Sequence, residues 1–267
     1  MRRRRSGAFN QPRVLQFGSI DSTSSEAFRR AEAGEAGHLW IVAERQLKGR
    51  GRRNRAWTSE RGNLYASVLL RPPVPATRAG ELSFVAAVAL YDAIAVAAPA
   101  VAGKLALKWP NDLLISGRKV SGILLESRAA AGASLDALVI GFGVNCASHP
   151  GGVDYPVTDL ASEGAPVLPA GLFGVLAAEF SAAYETWTLG EGFAAIRSAW
   201  LARAAGLGAA ITVRLPNREI RGIFEALGPD GALAVRGADG ALRHIAAGEV
   251  FFAPAGSASD PSPQGLR

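Results

Sequence analysis

Two polar segments of this chain combine residue types suited to holding a charged ligand. The first is KWPNDLLISGRKVSGILLE, Lys108 to Glu126. Asn111 and Asp112 form a polar turn made rigid by Pro110, and Lys119 follows on a hairpin closed by Ser116 and Gly117. Gly122, inside the return strand, marks a bulge or a close approach of a ligand or another backbone. Lys119 stands beside that point, an arrangement characteristic of an active site. The second segment is GRGRRNRAWTSERGNLYASVLL, Gly49 to Leu70, with Arg50, Arg52, Arg53 and Arg55 packed into a short loop before Trp57. Guanidinium groups bind phosphate in bidentate fashion, and Gly49 and Gly51 permit close backbone approach. Like-charge repulsion predicts a loop that stays open until an anion draws it closed as a lid. Trp57 offers a face for a flat ring.

A third segment, LDALVIGFGVNC, Leu135 to Cys146, ends a buried strand in Gly141, Gly143 and Asn145, where small residues leave room for a ligand. Taken singly, the three segments also read as a solvated hairpin, a charge run or nucleic-acid contact, and a core strand ending in a turn.

The elements that must position these residues are legible in the periodicity. Val14 to Ile20 alternates as a short strand, and Thr23 with Glu26 has the spacing of a capping box opening a helix to about Ala33. LWIVAE and LYASVLL read as strands, and Leu82 to Val96, apolar on all sides, as a buried helix. His149 to Pro169 reads as an irregular connection in which His149 is a turn residue. Leu172, Leu176, Phe180, Tyr184 and Trp187 recur at helical spacing, and a further helix covers about Gly192 to Ala204. From Ala210 short strands with turn signals (ITVRL, IRGIFEAL, ALAVR, ALRHI, AAGEVFF) predict a small barrel. The divisions are therefore a disordered basic arm over residues 1–12, a catalytic domain over 13–208, the small domain over 209–253 and a disordered tail over 254–267.

Composition narrows the class. The chain has 267 residues, 49% hydrophobic, enough for one sizeable core and a small second one. One cysteine, Cys146, rules out an internal disulfide and fits a reducing cytoplasm, and the three histidines form no cluster of metal-ligand spacing. No apolar run of signal-peptide length follows the basic start, and none approaches the roughly 18 apolar residues of a membrane span. A net charge of +6 favours anionic partners such as nucleotides or acidic domains, although Arg2 to Arg5 supply much of it.

In this order and spacing the three segments resemble the biotin protein ligases, which attach biotin to carboxylase carrier proteins. GRGRRNRAWTS is similar to that family's adenylate-binding loop, KWPNDLL and RKVSGILLE to its KWPND and KxxGILxE elements, and VIGFGVN to its glycine strand. DSTSSEA and Gln46 fall where the family contacts biotin, with Ser24 standing where Asn is common. The resemblance covers about Val14 to Phe252 and implies an α+β fold. A mixed sheet with helices, related to the class II aminoacyl-tRNA synthetases, is followed by an SH3-like β-barrel.

It further implies ATP, Mg²⁺ carried with it and no resident metal, biotin as substrate, a biotin carboxyl carrier protein as partner, and room for a homodimer. The implied roles are Lys119, Arg52 and Asp112 in catalysis. Ser22, Thr23, Gln46, Arg52, Lys119, Gly122, Gly141 and Gly143 would hold biotin. Gly49, Arg50, Gly51, Arg53, Arg55, Trp57, Asn111, Lys119 and Asn145 would hold ATP and the adenylate.

A lipoate or octanoate transferring enzyme shares the fold and the lysine, but the arginine loop and the KWPND turn match the biotin enzymes better. A nucleic-acid-binding regulator is the reading from another class. The residues before about 13 are too few for a helix-turn-helix, so the expected type is monofunctional, and the arm Arg2 to Arg5 would reach only phosphates.

Overall fold

A computed structural model describes residues 12–129 and 135–252. The expected basic arm and tail lie outside these residues, apart from Pro12. The chain divides into two compact units, one running to Ala205 and including Pro229–Gly231, the other formed by Gly206–Gly228 and the residues from Ala232 onward.

The first unit is built on β1 (Arg13–Phe17), α1 (Thr23–Glu32), β2 (Leu39–Ala43), β3 (Leu64–Leu70), α2 (Glu81–Ala97), β4 (Leu105–Lys108), β5 (Asp112–Ile115), β6 (Arg118–Ala129), β7 (Leu135–Val144), α3 (Pro169–Trp187) and α4 (Phe193–Leu201). Its seven strands form one mixed sheet in the order β1-β2-β3-β7-β6-β5-β4. β1 and β2, joined through α1, are parallel, and every other neighbouring pair is antiparallel.

Side chains of a strand alternate between faces, so pairing across the sheet assigns each residue to a side. On one side Leu39, Ile41, Leu69, Ala137 and Val139 pack with Ala27, Phe28 and Ala31 of α1. On the other, Trp40 of β2 and Phe142 of β7 meet Phe180 of α3, with Trp40 to Phe180 ring centroids 5.6 Å apart and nearly perpendicular. The aromatic stripe of α3 is therefore core, as its spacing predicts.

α1 starts one residue earlier than its capping-box spacing implies. Ser22 is the N-cap, and its Oγ accepts from Ser25 N at 3.4 Å. Thr23 turns its hydroxyl into the protein, and Glu26 pairs with Arg29 and Arg30. Contrary to expectation, Ala76–Ala97 is long and apolar enough to cross a membrane by length and composition. The apolarity serves burial: Leu82, Val85, Ala86, Ala89, Leu90, Ala93 and Ile94 of α2 are almost fully covered.

The second unit contains β8 (Ala210–Arg214), β9 (Glu219–Leu227), β10 (Leu233–Arg236), β11 (Leu242–Ile245) and β12 (Glu249–Phe252) in one antiparallel sheet, order β11-β10-β9-β8-β12. Ile211, Val213, Phe224, Leu227, Leu233, Val235, Ile245 and Val250 form its core. This antiparallel sheet domain stands where the strand pattern predicts a small barrel and the family resemblance an SH3-like one.

Candidate active site

On the α1 side of the sheet, β7 changes from bulky to empty. Ala137 and Val139 pack under α1, and the next two positions on that face are Gly141 and Gly143. Gly143 pairs with Gly122 of β6, so two neighbouring strands lack side chains at the same level. The indole of Trp57 fills part of the space above them. A Cβ on Gly143 would stand 2.7 Å from Trp57 Cε2 and Nε1, and one on Gly122 would stand 3.2 Å from its Cζ3. The buried Trp57 Nε1 has no hydrogen-bond partner among the described residues. The sequence grouped Trp57 with the nucleotide; the fold seats it on the glycines assigned to biotin.

A bulge brings Lys119 to the same face. Leu113 of β5 pairs with Ser121 of β6, but Leu114 pairs with Lys119, leaving Val120 as the extra residue. Without that insertion the alternation from Gly122 would send Lys119 to the opposite side. Lys119 Nζ instead lies 2.7 Å from Asp112 Oδ1 and 5.5 Å from the ring centres of both Trp57 and Tyr155. The connection after β7 fixes this geometry: Lys119 N donates to Pro156 O and Thr158 N to Lys119 O, each at 2.9 Å. Asn145, only 3% exposed, holds that connection through Nδ2 to Thr158 O at 3.0 Å.

The turn before β5 contains a cis Trp109–Pro110 peptide. Asn111 is clamped to β6, its Nδ2 donating to Ile123 O and its carbonyl accepting from Ile123 N. Its Oδ1 accepts from Arg52 Nη1 at 3.3 Å, tying the arginine loop to this turn.

That loop is folded. Gly51 N donates to Arg55 O at 2.7 Å and Trp57 N to Gly49 O at 2.9 Å. Arg53 and Asn54 adopt positive φ. Gly49 fits a close crossing, since a Cβ there would lie 2.5 Å from Ser59 Oγ and 2.6 Å from Trp57 O. Arg50, grouped by sequence with the phosphate ligands, forms a two-pronged pair with Glu126 at 3.2 and 3.0 Å and also donates to Ser25 Oγ at 2.7 Å. Arg53 and Arg55 are exposed at the tip.

At the other end, Gln46 Oε1 accepts from Thr23 N and Oγ1, and Gln46 Nε2 donates to Ser59 Oγ. Ser67 of β3, fully buried, bonds both Thr23 and Ser24. Ser59, Ser67 and Tyr155 thus join the site although no motif singled them out, and Glu126 joins it as the last residue of the KxxGILxE element, to which the sequence assigned no role. Their signal was pairing with distant residues, which a linear pattern does not carry.

A glycine floor, a lysine on a bulge and an arginine loop tied to the turn before β5 make up the candidate site. Residues 17–145 match the family model described as the Biotin/lipoate A/B protein ligase family, and residues 206–253 that of the Biotin protein ligase C terminal domain. The biotin–[acetyl-CoA-carboxylase] ligase of Paracoccus denitrificans is 44% identical over 238 residues, 87% of this chain and 97% of the relative. That of Mycobacterium tuberculosis is 30% identical, covering 83% of this chain and 81% of the relative. Among solved structures, the biotin protein ligase from Aquifex aeolicus in complex with biotin and ATP shares the fold, with a TM-score of 0.74 and 24% identity over 90% of this chain and 98% of that one. The chain belongs to the biotin protein ligase family.

Proposed function

We infer that this protein activates biotin with ATP and transfers it to the ε-amine of a lysine on a biotin carboxyl carrier protein. The observation that carries this reading is the position of Lys119, whose ammonium sits beside Asp112 and next to the Trp57 ring that covers the Gly122–Gly143 floor. The relatives named as biotin–[acetyl-CoA-carboxylase] ligases support the substrate and the acceptor class.

In the first step a carboxylate oxygen of biotin attacks the α-phosphorus of ATP, and the bond to pyrophosphate breaks. Two anions approach each other, so fixed positive charge lowers the barrier. Lys119 supplies it at the carboxylate and α-phosphate. Arg52, held through Asn111, supplies it from the loop, and Arg53 and Arg55 reach the outer phosphates. Mg²⁺ enters with ATP as part of that substrate. No group of three or more His, Cys, Asp and Glu side chains able to hold a metal occurs among the described residues.

In the second step the carrier amine attacks the acyl carbon, the C–O bond to AMP breaks and the amine loses a proton. Asp112 has a place in both steps. While Lys119 rests on it the carboxylate is neutralised, and once Lys119 turns to the substrate Asp112 is released to orient the amine and ease its deprotonation. Trp57 over the glycines makes an apolar wall for the valeryl chain, and the polar groups around Thr23 and Gln46 face the ureido ring.

The test is incubation with ATP, Mg²⁺, biotin and a carrier domain, followed by intact mass. A gain of one biotinyl group on a single lysine is expected. Acylation with octanoate or lipoate in its place would overturn the substrate.

A further inference from the structure

Five side chains beneath the ring-binding end form a hydrogen-bond chain with a fixed direction. Thr23 N lies 2.9 Å from Gln46, and a backbone N–H only donates, so the Gln46 atom facing it is Oε1. The amide nitrogen therefore points to Ser59 Oγ, 3.0 Å away, and Ser59 donates onward to Trp57 O at 2.9 Å. Gln46 Oε1 only accepts, so the 3.0 Å contact from Thr23 Oγ1 takes the single hydroxyl proton of Thr23. Ser67 Oγ, 2.7 Å from Thr23 Oγ1, must then be the donor in that pair. Having used its proton, Ser67 must accept from Ser24 Oγ at 3.1 Å. Every proton runs from Ser24 toward the Trp57 carbonyl.

The consequence concerns what Thr23 and Ser24 can offer a ligand. A hydroxyl ordinarily donates or accepts as its partner requires. Here both protons are committed, and only lone pairs remain. Gln46 takes the proton of Thr23, and Ser67 takes that of Ser24 from a fully buried position on β3, opposite Gly141. The missing side chain of Gly141 is what admits Ser24: a Cβ there would stand 2.9 Å from Ser24 Oγ.

We propose that Ser67 is a positioning residue that sets substrate specificity, holding Ser24 as an acceptor beside the Thr23 that Gln46 holds as one, so that the pocket selects the N–H edge of a cyclic urea over rings presenting oxygen there. This rests on the reading of the site as one for biotin. Facing acceptor against acceptor leaves both unpaired in a buried place, which is how a hydrogen-bonding pocket rejects an analogue.

The experiment compares calorimetric Kd values of the full chain for biotin and for the two cyclic carbamate analogues in which one ring N–H is replaced by oxygen. Wild type should favour biotin over at least one carbamate by about tenfold or more. In Ser67→Ala the proton of Ser24 is released to turn while that of Thr23 stays on Gln46, so the preference should shrink by at least about fivefold, while Ser67→Thr, which keeps the hydroxyl, should restore it. A loss merely of packing would weaken all three ligands by one factor, and that result would overturn the proposal. Equal affinity of wild type for biotin and both carbamates would overturn it without any variant, even if Ser67→Ala does not fold. A wild type that binds no biotin would instead remove the biotin reading itself.

Discussion

Lys119 Nζ and Asp112 Oδ1 lie 2.7 Å apart on adjacent strands, each side chain less than a fifth exposed, and the extra residue Val120 is what turns Lys119 toward Asp112. The pair separates the roles of its members. Lys119→Ala should lower the adenylation rate by about 10²–10³, the scale of removing one well-placed charge-stabilising donor. Asp112→Asn should slow transfer from preformed biotinyl-adenylate to the carrier more than it slows adenylate formation. Single-turnover measurement of each half-reaction checks both; an Asp112→Asn variant impaired only in adenylation would assign the carboxylate to the first step.

Arg50 and Glu126 are joined by two hydrogen bonds across 76 sequence positions. Glu126→Gln removes the charge that holds the base of the arginine loop, while Arg52 at its tip keeps its own contact with Asn111. The adenylate should leave the variant several-fold faster with Tm lower by only a few degrees, because the pair is partly exposed. Trapping of released adenylate measures the first and thermal unfolding the second. An unchanged residence time would mean that the loop does not depend on this anchor.

Gly143→Ala places a methyl group 2.7 Å from the Trp57 indole. The tryptophan belongs to a loop and can shift, so the cost should appear as weaker biotin binding, about 1–3 kcal/mol, more than as lost stability. Calorimetry of biotin binding decides, and wild-type affinity would show that Trp57 does not need its seat on the floor.

Acid should loosen the segment behind Lys119. Burial pushes the Asp159 carboxyl up, but hydrogen bonds from Ser162 N, His149 and Ser162 Oγ outweigh it and hold the group below its ordinary 3.8. A carboxylate whose pKa is lower folded than unfolded contributes stability that is full above the unfolded value and is lost as pH falls through the folded one. Asp21, held at about 2 chiefly by the hydrogen bond from Arg29, acts in the same sense at a more exposed site. Tm should therefore fall steeply below about pH 4, and Asp159→Asn should flatten that fall. An unaltered acid slope in the variant would exclude Asp159 as a source.

Much of this was legible in the sequence for physical reasons. Gly122 inside a strand announced a bulge or a close approach, and the fold has a bulge at Val120 as well as Trp57 against the glycine. The aromatic spacing of α3 and the continuous apolarity of α2 gave their burial. The illegible part depends on pairing across the sheet. Ser67 lies in a strand whose seven residues are all buried, so its hydroxyl has no periodic signature, and its partners Thr23 and Ser24 are supplied by α1. Arg50 looked like its neighbours because a run of arginines carries no sign of which one meets Glu126. The N-cap fell on Ser22 because Thr23 had a stronger bond to make inside, with Gln46 and Ser67.

Biotin-dependent exchange of labelled pyrophosphate into ATP, run beside octanoate and lipoate, tests the central claim most directly. Exchange with biotin alone, abolished in Lys119→Ala, is the predicted result. Exchange with the fatty acids, with no acid, or undiminished in Lys119→Ala would contradict it.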